Sequence, residues 1–95
     1  MANLRKTARQ LERHFKGASN HRRIDILLLL GRKNECTLED IIVEFKGNQK
    51  TFSAHTQKLV QAGLLNKRYA GRNVMHTLSP YGRRFLHFIK TLSQS

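Results

Sequence analysis

Thr37-Leu38-Glu39-Asp40-Ile41-Ile42-Val43-Glu44-Phe45-Lys46-Gly47-Asn48-Gln49-Lys50-Thr51-Phe52-Ser53-Ala54-His55-Thr56-Gln57-Lys58-Leu59-Val60-Gln61-Ala62 reads as two short helices around a tight turn. Thr37 can accept a backbone N–H bond, and Glu39 and Asp40 suit the positive end of a helix dipole, so a helix starts there. Leu38, Ile41, Ile42 and Phe45 recur at helical spacing and form its buried stripe. Lys46-Gly47-Asn48 is a turn, with Gly47 expected to supply a positive φ. In the helix from Gln49 to Ala62, Phe52, Thr56 and Leu59 share the inward face. Lys50, Ala54 and Gln57 then point outward, with Thr51, Ser53 and Lys58 beside them.

Downstream, Gly63 stops the helix and Leu64-Leu65 enters a strand. Asn66-Lys67-Arg68-Tyr69, Ala70-Gly71-Arg72-Asn73 and Val74-Met75-His76-Thr77-Leu78 read as strand, turn and strand. Ser79-Pro80 starts a last helix, whose Tyr81, Phe85, Phe88, Ile89 and Leu92 form a broad apolar stripe. Upstream, residues 2–16 read as a helix with Leu4, Ala8, Leu11 and Phe15 on one stripe, closed at Gly17. Ser19 or Asn20 caps a second helix that runs to Leu30 and ends at Gly31. Its Ile24, Leu27, Leu28 and Leu30 place it mid-fold. Arg32 to Cys36 is a connector. The order α-α-α-α-β-β-α is mainly helical with a β-hairpin wing, that is, a winged helix-turn-helix, and residues 1–95 form a single domain. The terminal helices carry apolar stripes that a core this modest leaves partly uncovered. Leu4, Ala8, Leu11, Phe15, Phe85, Phe88, Ile89 and Leu92 are therefore expected to form a dimer interface.

Charge points to the partner. The chain has a formal net charge of +12. Residues 1–23 sum to +6, residues 24–47 to −2 and residues 48–95 to +8. From Phe45 onward there is no Asp or Glu, yet nine Lys or Arg. Unopposed cations on a helix and a hairpin attract a polyanion and gain free energy by releasing its counterions. Double-stranded DNA is the expected partner, with RNA or a protein surface as the alternative. A helix of this kind fits the major groove, where Lys50 can donate to guanine, Gln57 can pair with adenine, and Thr51 and Ser53 can bond bases or phosphates. Asn48 and Gln49 can hold a phosphate at the helix entrance. Ala54, His55 and Lys58 complete the helix surface. Lys67, Arg68 and Arg72 on the wing reach a neighbouring groove or phosphate row, with Arg72 beside Gly71 at the tip as the leading contact.

Other chemistry finds little support. A single cysteine, Cys36, cannot form an internal disulfide and fits a reducing cytoplasm. Its redox reactivity would require exposure and a lowered pKa. The longest apolar run, Ile26 to Leu30, is too short to cross a bilayer, and no signal peptide is apparent. Catalytic arrangements are absent: there is no G-x-S-x-G, phosphate loop or paired carboxylate. No cofactor is expected. His14, His21, His55, His76 and His87 lack metal-binding spacing and are expected at the surface or half-buried.

Thr51-Phe52-Ser53-Ala54-His55-Thr56-Gln57-Lys58-Leu59-Val60-Gln61-Ala62-Gly63-Leu64-Leu65 resembles the recognition helix of ArsR-type regulators. Those run from a Ser/Thr-rich start through "V-S-x-H-L" to "L-x-x-A-G-L-V". Asn20 to Leu27 resembles their "P-x-R-x-x-I-L" helix, and Lys67 to Arg72 resembles their "R-x-x-G-R" wing tip. Leu78-Ser79-Pro80-Tyr81-Gly82-Arg83 looks more like the "L-T-x-x-G-R" of MarR- and HxlR-type relatives. The resemblance implies a homodimeric transcriptional regulator, a repressor, on an inverted-repeat operator. It implies contacts through Gln49, Lys50, Thr51, Ser53, His55 and Arg72. Thr56 departs from the family, replacing its usual apolar residue. Metal-sensing members carry Cys-x-Cys where this chain has Cys36 alone, or paired His and acid residues on the last helix, where this chain has His87 and no acid. Neither a metal nor a small-molecule effector is evident.

Overall fold

The computed structural model describes residues 5–94. The elements are α1 (Ala8–Ala18), α2 (His21–Lys33), β1 (Glu35–Thr37), α3 (Leu38–Phe45), α4 (Gln49–Gln61), β2 (Leu65–Ala70), β3 (Asn73–Leu78) and α5 (Pro80–Ser93). This is a winged helix-turn-helix, with one addition to the expected order. The connector after α2 contains a strand. β1 pairs antiparallel with β3, Cys36 opposite His76, and makes the hairpin a three-stranded sheet in the order β1-β3-β2.

α2 lies at the centre, as its apolar circumference requires. Ile26, Leu27, Leu29 and Leu30 are fully buried against Ile41, Leu59, Leu64 and Leu65. It runs past Gly31 to Lys33, where Asn34 takes the positive φ of 67°. α1 begins later than expected, because Thr7 and Gln10 form a capping box, and it continues through Gly17 to Ala18. Gly17 serves close packing: a Cβ there would stand 2.1 Å from the Cβ of Ala62 on the facing segment. Leu4 lies outside the described residues.

The turn between α3 and α4 also departs from expectation. The left-handed residue is Lys46, at φ 51°, and not Gly47. Gly47 is needed because the Phe52 ring lies against it, and a Cβ would meet that ring at 2.0 Å. Phe52 in turn stacks on Phe45 at 5.9 Å, which fixes the angle between the two helices. Caps set the helix starts. Asp40 N donates to Thr37 Oγ1 at 3.0 Å and Thr37 N to Asp40 Oδ2 at 2.9 Å. Thr51 N donates to Asn48 Oδ1 at 2.8 Å, so the side chain of Asn48 serves α4 itself. Thr56 is buried without penalty, since its hydroxyl donates to the Ser53 carbonyl at 2.9 Å.

Candidate nucleic-acid interface

α4 presents three distinct sides. Phe52, Thr56 and Leu59 are buried beneath it. On one flank, Gln49, Ser53, Gln57 and Val60 line a cleft of about 270 Å³, whose opposite wall is the wing with Lys67, Arg72, Asn73, Val74 and His76. Helix and wing thus share one concave surface. Asn48, Gln49, Lys50, Thr51, Ala54, Gln57, Lys58, Lys67 and Arg72 are exposed, while Ser53 and His55 are half-buried. Thr51, His55 and Lys58 occupy the other flank, on the opposite side of the helix from the cleft. Glu39, at the start of α3, also lines the cleft and is its one acid.

The wing divides its cations between two faces. Lys67 pairs with His76 across the strands, and Arg68 with Met75. Side chains alternate along a strand, so Lys67 shares the cleft face with His76, whereas Arg68 lies on the outer face. There it forms a two-pronged ion pair with Glu35, Nε to Oε2 and Nη2 to Oε1, both at 2.9 Å. The expectation that no acid balances the wing therefore fails at Arg68. Gly71, at φ 63°, opens the two-residue turn and leaves Arg72 exposed at the tip.

Two of the five histidines are more deeply placed than the sequence suggests. His14 and His76 are buried. The Nδ1 of His14 donates to the Ala62 carbonyl at 2.7 Å, tying α1 to the end of α4 and leaving Nε2 without a partner. Burial pushes the His76 ring below the ordinary imidazole value of 6.5. A hydrogen bond with the Cys36 backbone opposes this, and Lys67 adds to it. His55 is lowered by burial and then by Arg23, Lys58, His21 and Arg22. Cys36 is buried, and burial followed by Asp40 pushes its thiol up, the reverse of what a reactive thiolate needs. Among the described residues no three His, Cys, Asp or Glu side chains group to hold a metal ion. No helix among them is long and apolar enough to cross a membrane.

The terminal helices meet along an aromatic seam. Phe15 of α1 makes edge contacts with Phe85 at 5.2 Å and Phe88 at 6.1 Å of α5. Phe15 remains 51% exposed, Phe88 46% and Leu92 62%. Leu11, Phe85 and Ile89 are half-buried, and Ala8 is exposed.

A helix-turn-helix whose second helix and basic wing bound one groove defines a winged-helix regulator. Residues 20–67 match the profile of the family described as "Bacterial regulatory protein, arsR family". The chain belongs to the ArsR family of transcriptional regulators. No curated protein matches it. Among solved structures, HlyU from Vibrio cholerae N16961 is 25% identical, with a TM-score of 0.83 over 97% of this chain and 100% of that one. Mb0332 from Mycobacterium bovis, described as a homodimeric winged helix-turn-helix DNA-binding domain of a possible ArsR-family regulator, is 27% identical. Its TM-score is 0.81, over 99% of this chain and 91% of that one. The likeness of Leu78–Arg83 to MarR- and HxlR-type proteins finds no support in these matches. The family profile ends before that segment.

Proposed function

We propose that this chain is a cytoplasmic, homodimeric repressor that binds double-stranded DNA sequence-specifically. In this reading α4 enters the major groove, and the wing holds the adjacent groove or backbone. The cleft that joins Gln49, Ser53 and Gln57 of the helix to Lys67 and Arg72 of the wing carries the proposal. Lys50, Gln57 and Thr51 read base edges, Ser53 and His55 stand at the rim, and Asn48, Gln49, Lys58, Lys67 and Arg72 hold phosphates. Arg68, held by Glu35 on the outer face, is a weaker contact than its neighbours.

The whole chain acts as one domain, with α1 and α5 as its dimerisation helices. The exposed aromatic seam supports this, because Phe15, Phe88 and Leu92 leave apolar surface in water on the two terminal helices, where a second copy could cover it. The relative from Mycobacterium bovis is described as homodimeric. Titration of the protein onto duplex DNA and onto duplex and single-stranded RNA, at several salt concentrations, tests the proposal. Tighter and more sequence-dependent binding to duplex DNA is expected. Equal or tighter binding to RNA would replace DNA with RNA as the partner.

A further inference from the structure

We propose that the start of α2, centred on Arg23, is a second phosphate anchor for duplex DNA, set on the flank of the recognition helix that faces away from the wing. This inference rests on the DNA-binding reading above. Arg23 is only 9% exposed, yet its guanidinium has no hydrogen-bond or ion-pair partner among the described residues. Its Nε is buried and unpaired. A guanidinium cannot shed its proton, so this charge stays in the protein wall whatever the surroundings. The nearby acid, Asp25, is taken by Arg22 at 3.4 Å. The backbone amides of Arg22 and Arg23 are taken by Asn20 Oδ1, at 2.9 and 3.4 Å. What remains at this end of α2 is unopposed side-chain charge.

The location gives the charge a purpose. The charges of Arg23, Lys58 and Arg22 act on His55 of α4 after its burial, so these cations lie near the recognition helix. His55 and Lys58 project from the flank opposite Ser53, Gln57 and Val60, and those three line the wing cleft. The major groove runs between two phosphate rows. A helix seated in it brings one flank to each row. The wing cations Lys67 and Arg72 serve one row, and Arg23 with exposed Lys58 serves the other. A guanidinium packed into the protein at its Nε end loses little side-chain freedom on binding, unlike a surface lysine.

The test is a fluorescence-anisotropy titration of labelled duplexes, one selected and one random, between 50 and 200 mM salt. Arg23→Met and Lys58→Ala should each flatten the slope of log affinity against log salt by about 1.8, because each removes two phosphate contacts per dimer at about 0.9 apiece. Over that fourfold salt range the wild type then loses about 12-fold more affinity than either variant. The loss should be the same on both duplexes, because a phosphate contact carries no sequence information. Lys90→Ala, which removes a charge on α5, should leave the slope unchanged. Circular dichroism checks folding, and if Arg23→Met fails to fold, Arg23→Gln, which keeps a polar side chain without the charge, decides. An unchanged slope in the folded Arg23 variant, alongside flattened slopes in Lys58→Ala and Arg72→Ala, would overturn the anchor and leave the DNA-binding reading intact. A wild type whose binding to duplex DNA shows no salt dependence would overturn both. Thermal stabilisation of the wild type by inorganic phosphate, abolished by Arg23→Met while the DNA slopes stay equal, would assign the site to a free anion and overturn the anchor.

Discussion

Phe88→Asp should dissolve the proposed dimer while leaving the protomer folded. Phe88 touches Phe15 and Phe85 within its own chain but keeps 46% of its surface in water. A phenylalanine offers about 200 Å² of surface, so roughly 90 Å² remains for a partner to cover. At about 25 cal/mol per Å² this is worth about 2 kcal/mol per copy. A two-fold interface uses each residue twice, giving about 4–5 kcal/mol per dimer before any cost of burying a carboxylate. At about 1.4 kcal/mol per decade, the dissociation constant should rise by about three orders of magnitude. Sedimentation equilibrium over a micromolar concentration series reads this directly, with circular dichroism as the check on folding. Because two half-site contacts then no longer act together, operator affinity should fall with it. A folded Phe88→Asp protein that keeps the wild-type mass at every concentration would refute the terminal-helix interface.

Other perturbations address other parts of the molecule. Glu35→Gln should release Arg68, cost no more than about 1 kcal/mol of stability as an exposed pair, and steepen the salt dependence of DNA binding; urea denaturation and the salt titration check the two halves. Gly82→Ala should destabilise the fold by about 2–3 kcal/mol in urea, because the added Cβ would stand 2.0 Å from the Leu64 carbonyl oxygen, a backbone atom that cannot turn aside. His76 titrates below its unfolded value. Its contribution to stability is therefore complete above about pH 6.5 and is lost as pH falls from there toward the folded pKa, so urea midpoints should drop across that window, and less so in His76→Gln. Changing Lys50 or Gln57 should alter sequence preference, with about 1–3 kcal/mol lost at the affected base pair, whereas Arg72→Ala should weaken all duplexes alike.

Which features were legible in the sequence follows from the range of the interactions that make them. Thr37 with Asp40, Asn48 with Thr51 and Ser79 with Gly82 are caps closed within three residues, and they read directly from residue type. The stripe of Phe52, Thr56 and Leu59 follows from helical spacing alone, and with it the outward face of α4. β1 is three residues long and too short to show alternation; it exists because β3 offers it an edge. The Glu35–Arg68 pair joins residues 33 apart in sequence, and Glu35 lies on the same short strand β1. Arg23 stands at the Arg of the stretch that resembles "P-x-R-x-x-I-L", but nothing in that stretch shows that its side chain is buried. Its burial beside α4 arises only when two helices far apart in the chain pack together. The same holds for His14, whose partner is the carbonyl of Ala62, 48 residues away.

α4 and the wing form the single surface proposed to read duplex DNA. Selection of bound sequences from a pool of random duplexes tests this most directly. The expected result is enrichment of an inverted repeat, its half-sites centred about one helical turn, or a whole number of turns, apart. A bound pool no different from the starting one would contradict it.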